Sequence, residues 1–116
     1  MQYMMLIYSN EKAWETMTEA ERTAGMGAYL EFNKQARAAG QFVAGDALQP
    51  TSTATTVRVR DGKVQLTDGP YVETREQLGG YYLINAKDLD EATAIAARIP
   101  GAHHGAVEIR PVVVFG

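Results

Sequence analysis

The pattern of apolar positions near the start of the chain predicts a strand over residues 2–9. Both alternating sets of its side chains are apolar: Tyr3, Met5 and Ile7 on one face, and Met4, Leu6 and Tyr8 on the other. A strand with one face in water would carry polar residues on that face. The stretch "GYYLINA", residues 80–86, repeats the two-sided pattern. We therefore expect a sheet that is covered on both faces.

A helix is predicted over residues 18–39, where apolar positions recur at helical spacing. Thr18 and Glu21 fit a capping box, in which each side chain accepts a hydrogen bond from the other residue's backbone N–H. Gly25 and Gly27 lie inside this helix and each costs roughly 1 kcal/mol relative to alanine. Close packing of that helix face is one explanation for the two glycines.

A second helix and a last strand are predicted near the end of the chain. Asp88 is a favourable N-cap residue with Glu91 three positions later, and Pro100-Gly101 ends the helix. The stretch "AVEIRPVVVF", residues 106–115, then predicts a strand. Pro111 within it favours an edge position or a bulge, because proline cannot donate to a sheet.

The middle of the chain predicts an irregular loop followed by a hairpin. "VAGDALQPTSTA", residues 43–54, has no strand or helix periodicity and is interpreted as the loop. Asp61-Gly62 is typical of a two-residue type I′ turn, which needs positive φ at both positions. The turn predicts four cross-strand pairs: Arg60 with Lys63, Val59 with Val64, Arg58 with Gln65, and Val57 with Leu66. The apolar pairs then share one face of the hairpin.

The element order predicts an α+β fold of the ferredoxin-like β-α-β-β-α-β plan, with an antiparallel sheet and two helices on one face. Two helices cover only one face of such a sheet, whereas several strands offer apolar residues to both. A second copy of the chain is the simplest cover for the other face. We expect a homodimer that associates sheet against sheet, as in a dimeric α+β barrel.

Composition narrows the class of protein. A length of 116 residues fits a single domain, residues 1–116. A net charge of −3 with no Lys/Arg cluster argues against nucleic-acid binding. The absence of cysteine excludes disulfides and thiolate metal sites. The apolar start lacks a basic region and a cleavage site, so we expect a cytoplasmic protein with no membrane contact.

The segment "TDGPYVETREQLGGYYLI", residues 67–84, concentrates a tight turn, charges and a double glycine. Asp68 has two interpretations that the sequence leaves open. Its carboxylate either accepts hydrogen bonds from backbone N–H groups of the turn, or it acts on a ligand as a general base or acceptor. Tyr71, directly after the turn, is the aromatic residue that we expect at a ligand pocket.

Two further pairs of side chains can carry chemistry. His103 and His104 either form an exposed polar loop or supply proton transfer, with His104 the stronger candidate. Adjacent histidines in extended backbone point in opposite directions, so no metal site is expected. Glu108 and Arg110 share one face of the last strand and form either an ion pair or an anion site in which Glu108 orients Arg110.

Residues 67–84, with "MLIYSNEKAW", "AGDALQPTSTATTVRVRDGKV" and "GAVEIRPV", resemble the YCII-related family, specifically its DGPF-type branch. Tyr71 stands where phenylalanine is usual in that branch, and Arg75 where lysine is usual. The resemblance covers nearly the whole chain and implies a dimeric ferredoxin-like α+β fold. Most members of the branch are uncharacterised, and some occur near or fused to extracytoplasmic-function sigma factors.

The resemblance also bears on activity. The wider superfamily includes small dimeric enzymes of the muconolactone-isomerase and dehydrochlorinase type, and a His–Asp dyad has been proposed in the YCII branch. The histidine of that dyad lies in the first helix, but "TAGMGAYLEF" contains no histidine here. If Asp68 and His104 meet across a cleft, they form a substitute pair.

The sequence therefore leads to two hypotheses of different classes. In the first, the protein binds a small molecule, and its enzymatic form transfers protons without a metal or organic cofactor. Asp68 is then the base or acceptor, His104 the acid or base, Arg110 the anion anchor oriented by Glu108, and Tyr71 a pocket residue. In the second, the protein is a non-catalytic regulatory or interaction module with a sigma-factor partner.

Overall fold

The computed structural model describes all 116 residues and contains six strands and three helices. The strands are β1 (Gln2–Ser9), β2 (Phe42–Ala47), β3 (Thr55–Arg60), β4 (Lys63–Asp68), β5 (Gln77–Asn85) and β6 (Ala106–Pro111). The helices are α1 (Glu11–Thr16), α2 (Glu19–Ala38) and α3 (Leu89–Ala97). Short 3₁₀ turns occupy Thr51–Thr53 and Pro100–His103.

Four strands form one antiparallel sheet in the order β2-β5-β1-β6, and β3 and β4 form a separate two-stranded sheet. Strand β6 lies at an edge, as Pro111 predicted. The α+β class is confirmed. Without the separate hairpin and the short α1, the elements run β-α-β-β-α-β, with α2 and α3 as the two long helices.

The loop predicted over residues 43–54 is wrong at its start, because β2 extends to Ala47. Glycine and aspartate disfavour strands, which hides β2 from local patterns. Pairing with β5 stabilises it, and a bulge lies between Phe42 and Ala44. Glycine is required at position 45, since a Cβ there would lie 2.5 Å from Cδ1 of Tyr82.

The hydrophobic core lies between one face of the four-stranded sheet and the helices α2 and α3. Met5 and Ile84 from the sheet are fully buried, as are Ile95 of α3 and Ile99 just after it. Helix α2 contributes Phe32 and Ala36 to the same cluster. Both long helices therefore cover one face and leave the other without any cover from this chain.

The long helices start as predicted, but α3 ends at Ala97 and not at Pro100-Gly101, which begin a 3₁₀ turn. Thr18 caps α2 and forms the capping box with Glu21, and Asp88 caps α3 through the N–H of Glu91 at 2.9 Å. The helix α1, capped by Asn10, was not predicted. A Cβ on Gly25 or Gly27 would meet nothing within 4 Å, so the expected close packing is not found within the chain.

The hairpin β3–β4 has the predicted register, with Val59 opposite Val64 and Val57 opposite Leu66. Asp61 and Gly62 have φ angles of 53° and 73°, as a type I′ turn requires. This hairpin makes at most isolated contacts with the other helices and strands. We call residues 55–68 the arm.

The molecule is flat, with principal extents of 48 × 47 × 19 Å. Its radius of gyration is 16.2 Å, whereas a compact chain of this length has about 13 Å. Its accessible surface is 8363 Å², against about 6,200 Å² for a compact monomer of 12.7 kDa. The chain by itself thus exposes far more surface than its mass requires.

Candidate functional site

The sheet face opposite the helices carries two rows of side chains that cross all four strands. The strand registers place the members of each row side by side. The first row is Asp46, Tyr81, Leu6 and Glu108, and the second is Ala44, Leu83, Met4 and Arg110. Apolar side chains thus occupy the middle of this open face, and charged side chains lie at its two edges.

Tyr81 and Asp46 form the polar pair of the first row. The Tyr81 hydroxyl donates a hydrogen bond to Oδ2 of Asp46 at 2.8 Å. This bond and the negative charge of Asp46 raise the pKa of Tyr81 above its usual value. Tyr81 therefore remains a hydroxyl donor over the physiological pH range. Neither residue was a candidate from the sequence, since the site of Asp46 was interpreted as a loop.

Glu108 and Arg110 project from the edge strand β6 onto the open face, as their spacing predicted. Both side chains are exposed, and neither takes part in a hydrogen bond within the chain. The alternative of an ion pair between them is therefore not found in a single protomer. The Arg110 guanidinium thus has no hydrogen-bond partner within the chain, and its neighbour on β1 is Met4.

Asp68 ends β4 opposite Thr55, at the base of the arm. The turn after it is held by other groups: the N–H of Gly69 donates to the Ala54 carbonyl at 2.8 Å, and the Thr56 hydroxyl donates to the Gly69 carbonyl at 2.9 Å. Gly69 has φ of 112°, which an L-residue rarely adopts. The exposed Asp68 carboxylate accepts no hydrogen bond, so the structural interpretation of this side chain is not supported.

Tyr71 is 78% exposed. The Arg58 guanidinium of the arm lies 5.4 Å from the centre of its ring, within the range of a cation–π contact. The phenol itself makes no hydrogen bond within the chain. Its expected place in a pocket remains a prediction.

His103 and His104 line a shallow groove between α2 and the Pro100–His103 turn, with a volume of about 580 Å³. Gly25, Glu31 and Arg98 also border it. Asp68 is not among the groove residues, and no hydrogen bond links it to His104. Within one protomer the structure does not bring these two candidate catalytic residues together.

Both candidates nevertheless lie toward the same end of the sheet, where β1 finishes. A Cβ on Gly105, next to His104, would lie 3.1 Å from Cβ of Ser9. On the other side, the Glu11 carboxylate accepts a hydrogen bond from the N–H of Thr51 at 3.2 Å. This contact ties the segment before the arm to the same end of β1. No local sequence pattern indicates this contact, because its partners are 40 residues apart.

Two phenols on the helix side of the sheet, the half-buried Tyr29 and the buried Tyr82, serve the fold. Tyr29 accepts a hydrogen bond from the N–H of Gly101 at 3.0 Å, and burial raises its pKa. Tyr82 donates to Oδ1 of Asn33 at 2.5 Å. Their hydroxyls are engaged beneath the sheet, away from the open face.

The chain contains no group of three or more His, Cys, Asp or Glu side chains arranged to hold a metal ion. None of its helices is both long and apolar enough to cross a membrane.

Comparison with known proteins identifies the family. The model of the YCII-related domain matches residues 1–116. The chain belongs to the YCII-related family. A curated relative, an uncharacterized protein of Rhizobium meliloti (strain 1021), is 32% identical over 117 residues, which cover 99% of this chain and 94% of the relative. The family and the full-length match agree with the resemblance seen in residues 67–84.

Proposed function

We propose that this YCII-related protein is a homodimer that binds a small organic anion on the open face of its sheet. The observation that carries the proposal is Arg110, a guanidinium without an intrachain partner at the end of a row of apolar side chains. Small-molecule sites combine an apolar lining with a few placed polar groups. The open face has this composition, with Met4, Leu6 and Leu83 between its charged edges.

The second copy follows from the surface of the single chain. Met4, Leu6 and Leu83 are only half-buried, and no element of the chain covers them. An open sheet face alone leaves a ligand in bulk water, which weakens its electrostatic contacts. A second copy packed over this face encloses the site and accounts for the excess accessible surface.

The chemistry of the face favours a carboxylate ligand with an apolar body. Arg110 can bind a carboxylate through two parallel N–H···O bonds. The Tyr81 hydroxyl donates its hydrogen to Asp46, so it can accept a hydrogen bond from a hydroxyl or N–H group on the body of the ligand. Glu108 opposes Leu6 in the adjacent row and orients Arg110 once a ligand is bound.

The enzymatic form of the proposal is proton transfer without a cofactor, of the isomerase or lyase type. Asp68 is the base or acceptor and His104 the acid or base, with Tyr71 beside the substrate. Two features support these roles: the Asp68 carboxylate is not used by its own turn, and imidazole is the side chain most often used in general acid–base catalysis. Single-turnover assays on Asp68→Asn and His104→Ala test this step, which is wrong if both retain full turnover.

The binding proposal is tested by thermal unfolding in the presence of small carboxylates, including benzoate and muconate. A ligand that binds only the folded protein stabilises it by about 2.7 kcal/mol at one hundred times its dissociation constant. We expect Arg110→Ala to abolish the shift, and Tyr81→Phe to weaken by about tenfold the binding of carboxylates that also carry a hydroxyl group. Arg60→Ala, which removes an exposed arginine from the arm, is the matched control and keeps the shift.

A shift that survives in Arg110→Ala places the ligand elsewhere and contradicts the proposal. The competing function is a regulatory module for a protein partner such as an extracytoplasmic-function sigma factor. A protein that co-purifies in fixed ratio, with no carboxylate shifting the wild type, is the result that favours this module.

A further inference from the structure

The arm exposes an apolar face that nothing in its own chain covers. The side chains on this face retain large exposed fractions: Val57 58%, Val59 57%, Val64 66% and Leu66 68%. They form two cross-strand pairs on the same side of the hairpin. A contiguous apolar surface of this kind marks an interaction site.

The opposite face of the arm is polar. It carries the pairs Thr56–Thr67, Arg58–Gln65 and Arg60–Lys63. The arm is therefore amphipathic, with one face suited to water and the other to an apolar partner. Because each strand alternates strictly, this division would not survive a shift of one residue in the register.

The arm is also unsupported within its own chain. An isolated two-stranded hairpin is at best marginally stable in water, and stability requires packing on one face. The Gly69–Ala54 backbone bond extends the ladder of the arm by one pair, and Thr56 and Arg58 contact the segment that follows the arm. With the other helices and strands the arm makes only isolated contacts. Its regular register therefore implies that something covers the apolar face in the functional protein.

The size of the uncovered surface indicates what that partner is. The chain exposes roughly 2,000 Å² more than a compact monomer of its mass. Obligate homodimers bury about 2,000–5,000 Å² in total, or about half of this per protomer. A second copy of the chain, offering the same surfaces in return, accounts for the excess in one symmetric association.

We propose that the arm of each protomer packs its apolar face on the second protomer, so that the two chains exchange arms. This inference rests on the homodimer of the proposed function and adds the arm to an interface otherwise formed by the sheet faces. The base of the arm carries Asp68, and the adjoining segment carries Tyr71. The exchange therefore also decides where these two candidate residues lie relative to the partner's site.

Adjacent residues of β4 give a matched pair of variants. Val64→Asp places a carboxylate on the apolar face, and Gln65→Asp places the same group on the polar face of the same strand. Sedimentation equilibrium should give twice the chain mass of 12.7 kDa for the wild type. We expect Val64→Asp to raise the dimer dissociation constant at least about tenfold, because an unpaired carboxylate loses its water, and Gln65→Asp to leave it unchanged.

Amide hydrogen exchange on the wild type tests the arm without any substitution. We expect the backbone amides that join β3 and β4 to be protected from exchange in the dimer and to lose this protection on dilution. The amides of α2 should remain protected on dilution. A wild type that is monomeric at every concentration overturns both the dimer and the arm exchange. A stable dimer whose arm amides exchange as fast as loops, or equal effects of the two substitutions, overturns only the arm exchange.

Discussion

Tyr82 shows how one side chain can serve a strand and a helix at once. Its ring centre lies 5.0 Å from that of Phe32 on α2 and 6.1 Å from that of Phe42 on β2. Its hydroxyl donates to Asn33 at 2.5 Å. Burial, with a smaller electrostatic effect of Tyr29, raises the pKa of Tyr82 to about 12. The neutral phenol is thus part of the packing between helix and sheet.

A pH dependence follows at this scale. An unfolded tyrosine ionises near pH 10, whereas folded Tyr82 ionises near pH 12. Its contribution to stability is complete below about pH 10 and is lost as the pH rises to about 12. We expect urea-unfolding free energies to fall less steeply across this window in Tyr82→Phe than in the wild type. Tyr71→Phe, at an exposed ring, is the control, and parallel curves for wild type and Tyr82→Phe would contradict the assignment.

The individual residues of the candidate site show how much of it can be predicted from the sequence. The strand period of two places Glu108 and Arg110 on one face, and the structure agrees. Their neighbours Leu6 and Met4 come from β1, and which residue lies opposite which is set by pairing between distant segments. Local sequence patterns therefore could not predict the row of side chains that runs from Asp46 to Glu108.

Among the elements, the hairpin was predicted to the residue because turn type and alternation are both local. Strand β2 was missed because its stability comes from β5, more than thirty residues later, and not from its own composition. The starts of the two long helices were predicted because an N-cap is formed by residues three positions apart. Elements that are stabilised by contacts between residues close in sequence can be predicted from local patterns. Elements that are stabilised by pairing with a distant strand cannot.

Gly27 in α2 and Gly101 in the 3₁₀ turn after α3 differ in the space around a Cβ, and alanine substitutions test this difference. Alanine at position 27 meets nothing within 4 Å, so Gly27→Ala should raise the unfolding free energy by roughly 1 kcal/mol through helix propensity. Gly101→Ala should instead lower it by about 1–3 kcal/mol, since its Cβ would lie 2.7 Å from Cγ2 of Ile7 and from the Tyr29 hydroxyl. Urea unfolding measures both. Destabilisation by Gly27→Ala would show that this helix face is occupied by a partner.

At the scale of the whole molecule, the flat shape and the large accessible surface both reflect a small core. A single chain buries only 14 of its 116 residues, and a domain this small is stabilised by a limited core. Association of two such chains enlarges the buried apolar surface without lengthening the sequence. Folding and association are therefore expected to be coupled.

Such coupling predicts that the melting temperature depends on protein concentration. Unfolding that releases two chains from a dimer shifts by mass action, so the wild type should melt at a higher temperature when more concentrated. Scanning calorimetry over about a hundredfold range of concentration measures this shift. A constant melting temperature over that range would argue that the chain folds alone, and a monomeric Val64→Asp variant should show that behaviour.

The position of the arm in the chain has an evolutionary consequence. Strands β2 and β5 are neighbours, and their pairing is extended by the bond from the Leu48 N–H to the Gly79 carbonyl at 2.8 Å. Residues 49–76 thus leave and rejoin the sheet at adjacent points, outside the buried core. Related chains in one cell that differ mainly in this excursion would each recognise their own copies. If the arms are exchanged as proposed, differences in the arm would then decide which related chains can pair.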